Sequence, residues 1–178
     1  MPGPQTWPLG APGVVVLPSG RRVRGRGVRA GAPPPGLEPA VSFQCTWQRP
    51  HPQAWPVRWV RWPDFGLPLV PDDARAALRE AWERSTGERV EVTCGGGNGR
   101  TGTALAVLAV LDGVTPGDAV AWVREHYRRG AVETPWQRWW VERSTPEVER
   151  SSWTCGTHRQ RWRTDRVRDQ VSPSQTLP

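Results

Sequence analysis

The spacing of apolar residues changes period along the chain, and each change marks an element. Val14-Val15-Val16-Leu17 is a short strand, and Pro18-Ser19-Gly20 is a turn signal. Arg22 to Val28 alternates arginine with small or apolar residues, so a returning strand and an N-terminal hairpin are predicted. The arginines of that strand could face a phosphate-bearing substrate, but a solvated face is the expectation. Ala32 to Pro39 reads as a Pro-rich linker, with short strands at Val41 to Cys45 and Val57 to Val60. From Asp73 to Arg84, Ala74, Ala77, Leu78, Ala81 and Trp82 recur at helical spacing; Asp72 stands where a cap belongs and Gly87 ends the helix. Glu88 to Val92 is a further strand. Thr103 to Leu111 is apolar on every side, which predicts a buried central helix ended by Gly113. Thr115 and Pro116 open another helix that runs to about Arg129, with Ala119, Trp122, Val123 and His126 turned inward. Thr134 and Pro135 begin a last one, through about Glu142.

Strands alternating with helices predict an α/β fold, a central mostly parallel sheet flanked by helices. Three regions are expected: an unordered N-terminus over residues 1–11, a domain over 12–142, and a disordered basic tail over 143–178. Charge sharpens that division. All 24 basic residues are arginine, read here as the base-composition bias of a GC-rich bacterial genome. The net charge of +7 sits at the ends, because residues 41–142 carry twelve arginines against twelve acids. The basic balance is therefore a property of the termini, and nucleic acid is not an expected partner of the domain. Cys45, Cys94 and Cys155 are too few and too scattered for a disulfide framework or a zinc site, and no metal or cofactor is expected. With neither a signal-peptide pattern nor a run of membrane-spanning length, the expectation is a cytoplasmic monomer that engages no membrane.

The candidate chemistry lies between the strand Arg89-Val90-Glu91-Val92 and the apolar helix. There the sequence is Thr93-Cys94-Gly95-Gly96-Gly97-Asn98-Gly99-Arg100-Thr101-Gly102. Glycines let successive N–H groups turn into one concavity, and a following helix adds its positive end, so the loop should hold a tetrahedral oxyanion. Arg100 adds a planar fork for two oxygens. The same field favours the thiolate form of Cys94, which places a nucleophile at the base of an anion cradle. A nucleotide-binding G-x4-G-K-[ST] loop matches poorly: Cys94 would replace its first glycine and Arg100 its lysine.

Cys94-x5-Arg100-Thr101-Gly102 resembles the signature loop of the cysteine-dependent protein-tyrosine phosphatases. Cys-x5-Arg alone also occurs in rhodanese-like enzymes and some arsenate reductases, but two more segments fit in order. Arg61-Trp62-Pro63-Asp64-Phe65-Gly66-Leu67-Pro68 is similar to that superfamily's mobile loop, whose aspartate is the general acid. Ala131-Val132-Glu133-Thr134-Pro135-Trp136-Gln137 is similar to the segment whose glutamine positions the hydrolytic water. The resemblance covers about residues 55–142, is closest to compact dual-specificity-like members, and departs at Thr93, where the superfamily usually has histidine.

What the resemblance implies is a phosphomonoester hydrolase with a cysteinyl-phosphate intermediate. Cys94 would be the nucleophile, Arg100 and the loop Gly95, Gly96, Gly97, Asn98 and Gly99 the phosphate cradle, and Asp64 the acid. Thr101 would assist the departing thiolate. Gln137 stays open between water positioning and a capping box with Thr134. The alternative is a catalytically impaired phosphate binder, because of Thr93. The expected partner is a phosphorylated substrate, either a phosphotyrosine protein or a small phosphomonoester. Since Gly95, Gly96 and Asn98 bring no positive side chain, the loop itself argues mildly against multiply phosphorylated inositols or lipids. Tryptophans near 55–62 are candidates for stacking on an aromatic leaving group. Cys45 is either a half-buried thiol or a reversible disulfide partner of Cys94.

Overall fold

The predicted hairpin forms: β1 (Val14–Val16) and β2 (Arg22–Gly27) pair antiparallel, with Val15 opposite Val23. These and the following elements belong to a computed structural model that describes residues 6–144. Strands β3 (Val41–Thr46), β4 (Val57–Arg61) and β5 (Val90–Cys94) complete a five-stranded sheet ordered β1-β2-β5-β3-β4, in which every pair but the first is parallel. This is the mostly parallel sheet expected from the alternation of elements. Central β5 is buried along its whole length, as a strand between two parallel neighbours with helices on the faces should be.

Glu91 is the charged residue within β5, and it overturns the expected solvated arginine face on β2. Arg24 is only 3% exposed. Its Nε donates to Glu91 Oε1 at 3.0 Å, and Arg26 Nε donates to the same oxygen at 2.7 Å. Burial pulls the Arg24 pKa below its ordinary value, while the Glu91 carboxylate acts in the opposite sense. The alternation was real, but the parallel register sets Arg24 directly beside Glu91 of β5, so the arginines of β2 share a face with a buried carboxylate instead of water. The expectation for residues 1–11 also changes where they are described. Trp7 is fully buried, its indole N–H donates to Val90 O at 2.7 Å, and the Arg24 guanidinium lies 3.9 Å from its ring centre. That indole closes one end of the β2–β5 seam.

Helix α1 (Pro71–Arg84) buries Ala74, Ala77, Leu78 and Ala81, the positions its spacing predicted. Val70 is its N-cap and Pro71 its first residue, so Asp72 lies inside the first turn, where it pairs with Arg75 at 3.1 Å instead of capping. Helix α2 (Gly99–Leu111) begins four residues before the apolar run and is buried from Gly99 to Val110. It packs against α1, α3, α4, β2 and β5 and so stands at the centre of the molecule. Helix α3 (Ala119–His126) is shorter than expected at both ends, because Thr115 to Asp118 forms a separate turn in which the Thr115 hydroxyl donates to Asp118 Oδ2 at 2.6 Å.

His126 is exposed, not inward. Its ring stacks on Trp122 at 4.3 Å between centroids, while Ala119, Val120 and Val123 take the buried face. Helix α4 (Pro135–Glu142) follows a turn in which Val132 has φ +60°, a conformation that costs a β-branched residue about 1–3 kcal/mol. Arg124 holds that turn by donating to the carbonyls of Ala131 and Val132, each at 2.9 Å. Most of the predicted tail, from residue 145 on, lies outside the described residues. Among those described, no helix is long and apolar enough to cross a membrane.

Candidate active site

Strand β5 delivers Cys94 to the edge of the sheet, and the chain turns through Gly95–Asn98 into α2. Cys94 is 2% exposed, and its Sγ accepts a hydrogen bond from the Gly97 N–H at 3.2 Å. Gly97 has φ +73°, and a Cβ there would stand 2.5 Å from Gly27 N, so only glycine lets the loop sit on the end of β2. The loop carbonyls are held from outside. The Tyr127 hydroxyl donates to Gly97 O at 2.7 Å, and Arg128 Nη1 stands 3.4 Å from Gly96 O. Within one planar peptide the C=O and N–H point in opposite directions, so holding the carbonyls outward keeps the amides turned toward the concavity.

Arg100 opens α2 with its guanidinium nearly buried. Nη1 donates to Trp62 O at 3.0 Å, and Nη2 lies 2.8 Å from Asp64 Oδ1. The Asp64 side chain is 49% exposed. The fold thus brings together the two distant segments that sequence reading paired. Trp62 is a fully buried anchor: its indole donates to Gly66 O at 2.8 Å, and its ring meets Trp140 edge-on at 5.2 Å. Helix α4 holds the far side of the same turn, where the Trp136 indole donates to Phe65 O.

Gln137 is fully buried and makes the capping box. Its Oε1 accepts from the backbone N–H of Glu133 at 2.9 Å and of Thr134 at 3.3 Å, and Thr134 Oγ1 accepts from Gln137 N at 3.3 Å. Its Nε2 stands 3.5 Å from Gly66 O, which ties the cap to the Asp64 turn. The hydroxyls of Thr93 and Thr101 are fully buried and make no hydrogen bond among the described residues. The β3–β5 register sets Gln44 beside Thr93, so the next step along both strands carries Cys45 and Cys94. Both thiols are free. Cys45 is fully buried rather than half-buried, and burial pushes its pKa well up, with Cys94 acting in the same sense.

A cavity of about 450 Å³ opens in front of Asp64, Gly95 and Arg100, and the β3–β4 loop closes its far side with Trp47, Arg49 and His51. The tryptophan beside the candidate phosphate cradle is therefore Trp47, not one of those at 55–62. Trp62 is core, and the Trp59 indole is spent on Thr46 O at 3.1 Å.

Tyr127 was not singled out in the sequence, where it is merely the residue after a helical run. It is the chain's one tyrosine, and its pKa is pushed up to about 12, chiefly by burial. The phenol stays protonated and remains a donor to the loop. Because the folded value lies above the ordinary 10.0, its contribution to stability is complete below pH ~10 and is lost as pH rises toward the folded value. Absorbance titration of the single phenol should show a midpoint well above that of a free tyrosine. Tyr127→Phe should cost about 0.5–1.5 kcal/mol in urea denaturation, the loss of one hydrogen bond.

Residues 71–151 match the model of a family described as "Swiss Army Knife protein, DSP-PTPase phosphatase domain". That span holds Cys94, Arg100, Thr101 and Gln137, and starts after Asp64. Over that stretch, a little under half of the chain, the sequence is similar to protein-tyrosine-phosphatase-like domains. Two uncharacterized proteins of Methanocaldococcus jannaschii are 40% and 38% identical to it over 91 residues, 51% of this chain. The match spans 60% and 56% of those relatives, less than two thirds of their length. The crystal structure of Tk-PTP in its active form superposes with a TM-score of 0.58 at 23% identity, covering 74% of this chain and 95% of that one. A mutant form of Tk-PTP gives a TM-score of 0.53 at 24% identity, over 61% and 78% of the two chains. At such identities these phosphatase structures speak to the fold of the present domain, and they agree with its sheet and helices.

Proposed function

We propose that this phosphatase-like domain hydrolyses phosphomonoesters through a cysteinyl-phosphate on Cys94. One observation carries the reading: the Cys94 sulfur, the amide-lined loop and the Arg100 fork meet at one point, with Asp64 2.8 Å from that fork. In the proposed reaction the Cys94 thiolate attacks phosphorus in line. The bond to the leaving oxygen breaks as Asp64 gives that oxygen its proton, while the loop amides and Arg100 hold the three equatorial oxygens. Water then attacks the cysteinyl-phosphate. Its proton passes to the Asp64 carboxylate, the S–P bond breaks, and the thiolate is restored with release of phosphate. The buried Thr101 hydroxyl, with no other partner among the described residues, is available to donate to that thiolate.

Gln137 takes a positioning role in this account. Its side-chain oxygen is committed to the cap, and its Nε2 faces the turn that carries Asp64. Water activation then falls to Asp64. The trial is hydrolysis of para-nitrophenyl phosphate, with vanadate as competitor, for the parent, Cys94→Ser and Arg100→Lys. Cys94→Ser should be inactive yet still bind vanadate. Arg100→Lys retains the charge but loses the fork and should lose about 10²–10³-fold in kcat/KM. A folded, inert parent that binds vanadate would replace the proposal with the phosphate-binder reading.

A further inference from the structure

The geometry points to a second anion subsite, formed by Arg29 and Arg49, that takes a second phosphate or carboxylate on the group to be released. It rests on the proposed reaction for its orientation, since it sits on the leaving-group side of the same cavity. Arg29 belongs to a single 3-10 turn, Val28–Ala30, directly after β2, and its backbone N–H donates to Gly95 O at 3.1 Å. Its side chain therefore starts at the rim of the loop. A Cβ placed on Gly95 would stand 3.3 Å from the Arg29 Cζ and 3.5 Å from Arg100 Nη2, so two guanidiniums flank one backbone residue.

Their electrostatic situations differ. Arg100 has Asp64, Arg24 and Arg26 share Glu91, and Arg84 has Glu80 and Glu88. Arg29 and Arg49 pair with no carboxylate among the described residues, yet both face the same cavity of about 450 Å³. Arg128 is not of this kind, because Gly96 O and the Tyr127 ring occupy it. Asp64 on the same wall is matched by Arg100, so the exposed Arg29 and Arg49 leave the concavity with a net positive field that favours entry of an anion. The scissile phosphate does not supply that anion, because its oxygens are matched by the loop amides and Arg100. The remainder of the substrate must extend past Asp64, the residue at the leaving oxygen, into the cavity that Arg29 and Arg49 also line. Gln44, Gln53 and His51 add polar groups to the same walls. The loop's own lack of basic side chains is thus offset by arginines that fold in from β2 and from the β3–β4 loop.

The substrate class that follows is a phosphomonoester with a second anionic group. Binding to the full-length Cys94→Ser protein tests it without requiring turnover. Calorimetry would compare fructose 1,6-bisphosphate with fructose 6-phosphate, and a phosphotyrosine peptide flanked by glutamates with one flanked by alanines. The doubly anionic member of at least one pair should bind about tenfold or more tightly, the worth of a further charge-assisted hydrogen bond. Combining Arg29→Gln with Arg49→Gln should bring that ratio near one, with thermal melting to verify the fold. A preference in the sugar pair assigns the group to a small bisphosphate; one confined to the peptides assigns it to protein carboxylates. Equal affinities within both pairs, or a preference that survives loss of both arginines, would overturn the subsite. Catalytic failure alone would leave these ratios unchanged.

Discussion

Asp64→Asn should slow hydrolysis of a phenyl or alkyl phosphate by about 10²–10⁴-fold, the range for loss of a positioned acid, while vanadate binds slightly more tightly. The two effects have opposite signs because the proposed reaction gives Asp64 two jobs. Before substrate arrives, its carboxylate sits 2.8 Å from Arg100 Nη2 and acts as the counter-ion of the fork that must receive phosphate. An incoming oxyanion has to displace it. With half of its side chain exposed, Asp64 gives up that contact cheaply, since exposed ion pairs are worth about 0–1 kcal/mol; the gain in vanadate affinity should therefore be at most about fivefold. In the proposed reaction the displaced carboxyl then serves the leaving oxygen. Steady-state kinetics and vanadate inhibition read both numbers. An unchanged rate would remove Asp64 from the reaction, and a loss of vanadate affinity would show that it supports the cradle rather than competes for it.

Glu91→Gln should destabilise the domain by about 3–5 kcal/mol, the cost of breaking a buried ion pair from one side. Glu91 is fully buried in β5 and accepts from Arg24 and Arg26 at once. An amide leaves Arg24 as an uncompensated charge that is 3% exposed, between Trp7 and the sheet. The loss should also reach the site, because Cys94 lies three residues further along the same strand. Urea denaturation gives the stability and the vanadate constant gives the site. A loss below about 1 kcal/mol would mean that Arg24 finds water or another partner when the carboxylate is gone.

These expectations also separate what local pattern could reveal from what it could not. Helices α1 and α2 were legible because burial imposes a period: Ala74, Ala77, Leu78 and Ala81 lie on one face, and Thr103 to Val110 has no polar face at all. The hairpin and the strands at 41 and 57 follow from short β-branched runs between turn residues. The loop from Cys94 to Arg100 was legible because its glycines serve one purpose. What escaped depends on long-range contact. Arg24 looks solvated until β2 is known to lie against β5, and Trp7 looks like part of a loose end until Val90 O is its acceptor. Arg29 and Tyr127 have no local signature, because each matters only through the backbone of a loop far away in sequence. His126 shows the converse error: the spacing was right, but the last turn of α3 is too near its end to enforce it.

Covalent catalysis by Cys94 requires a phosphoryl group on its sulfur during turnover. Acid quench of the Asp64→Asn protein early in turnover, followed by trypsin and mass spectrometry, tests it directly. Cleavage after Arg89 and Arg100 isolates a peptide that holds Cys94 as its one cysteine. This peptide should gain one phosphoryl group in the presence of substrate; the gain should be absent in Cys94→Ser and should decay on a chase. Turnover with no modified peptide at any quench time, or a phosphoryl group on another residue, would contradict it.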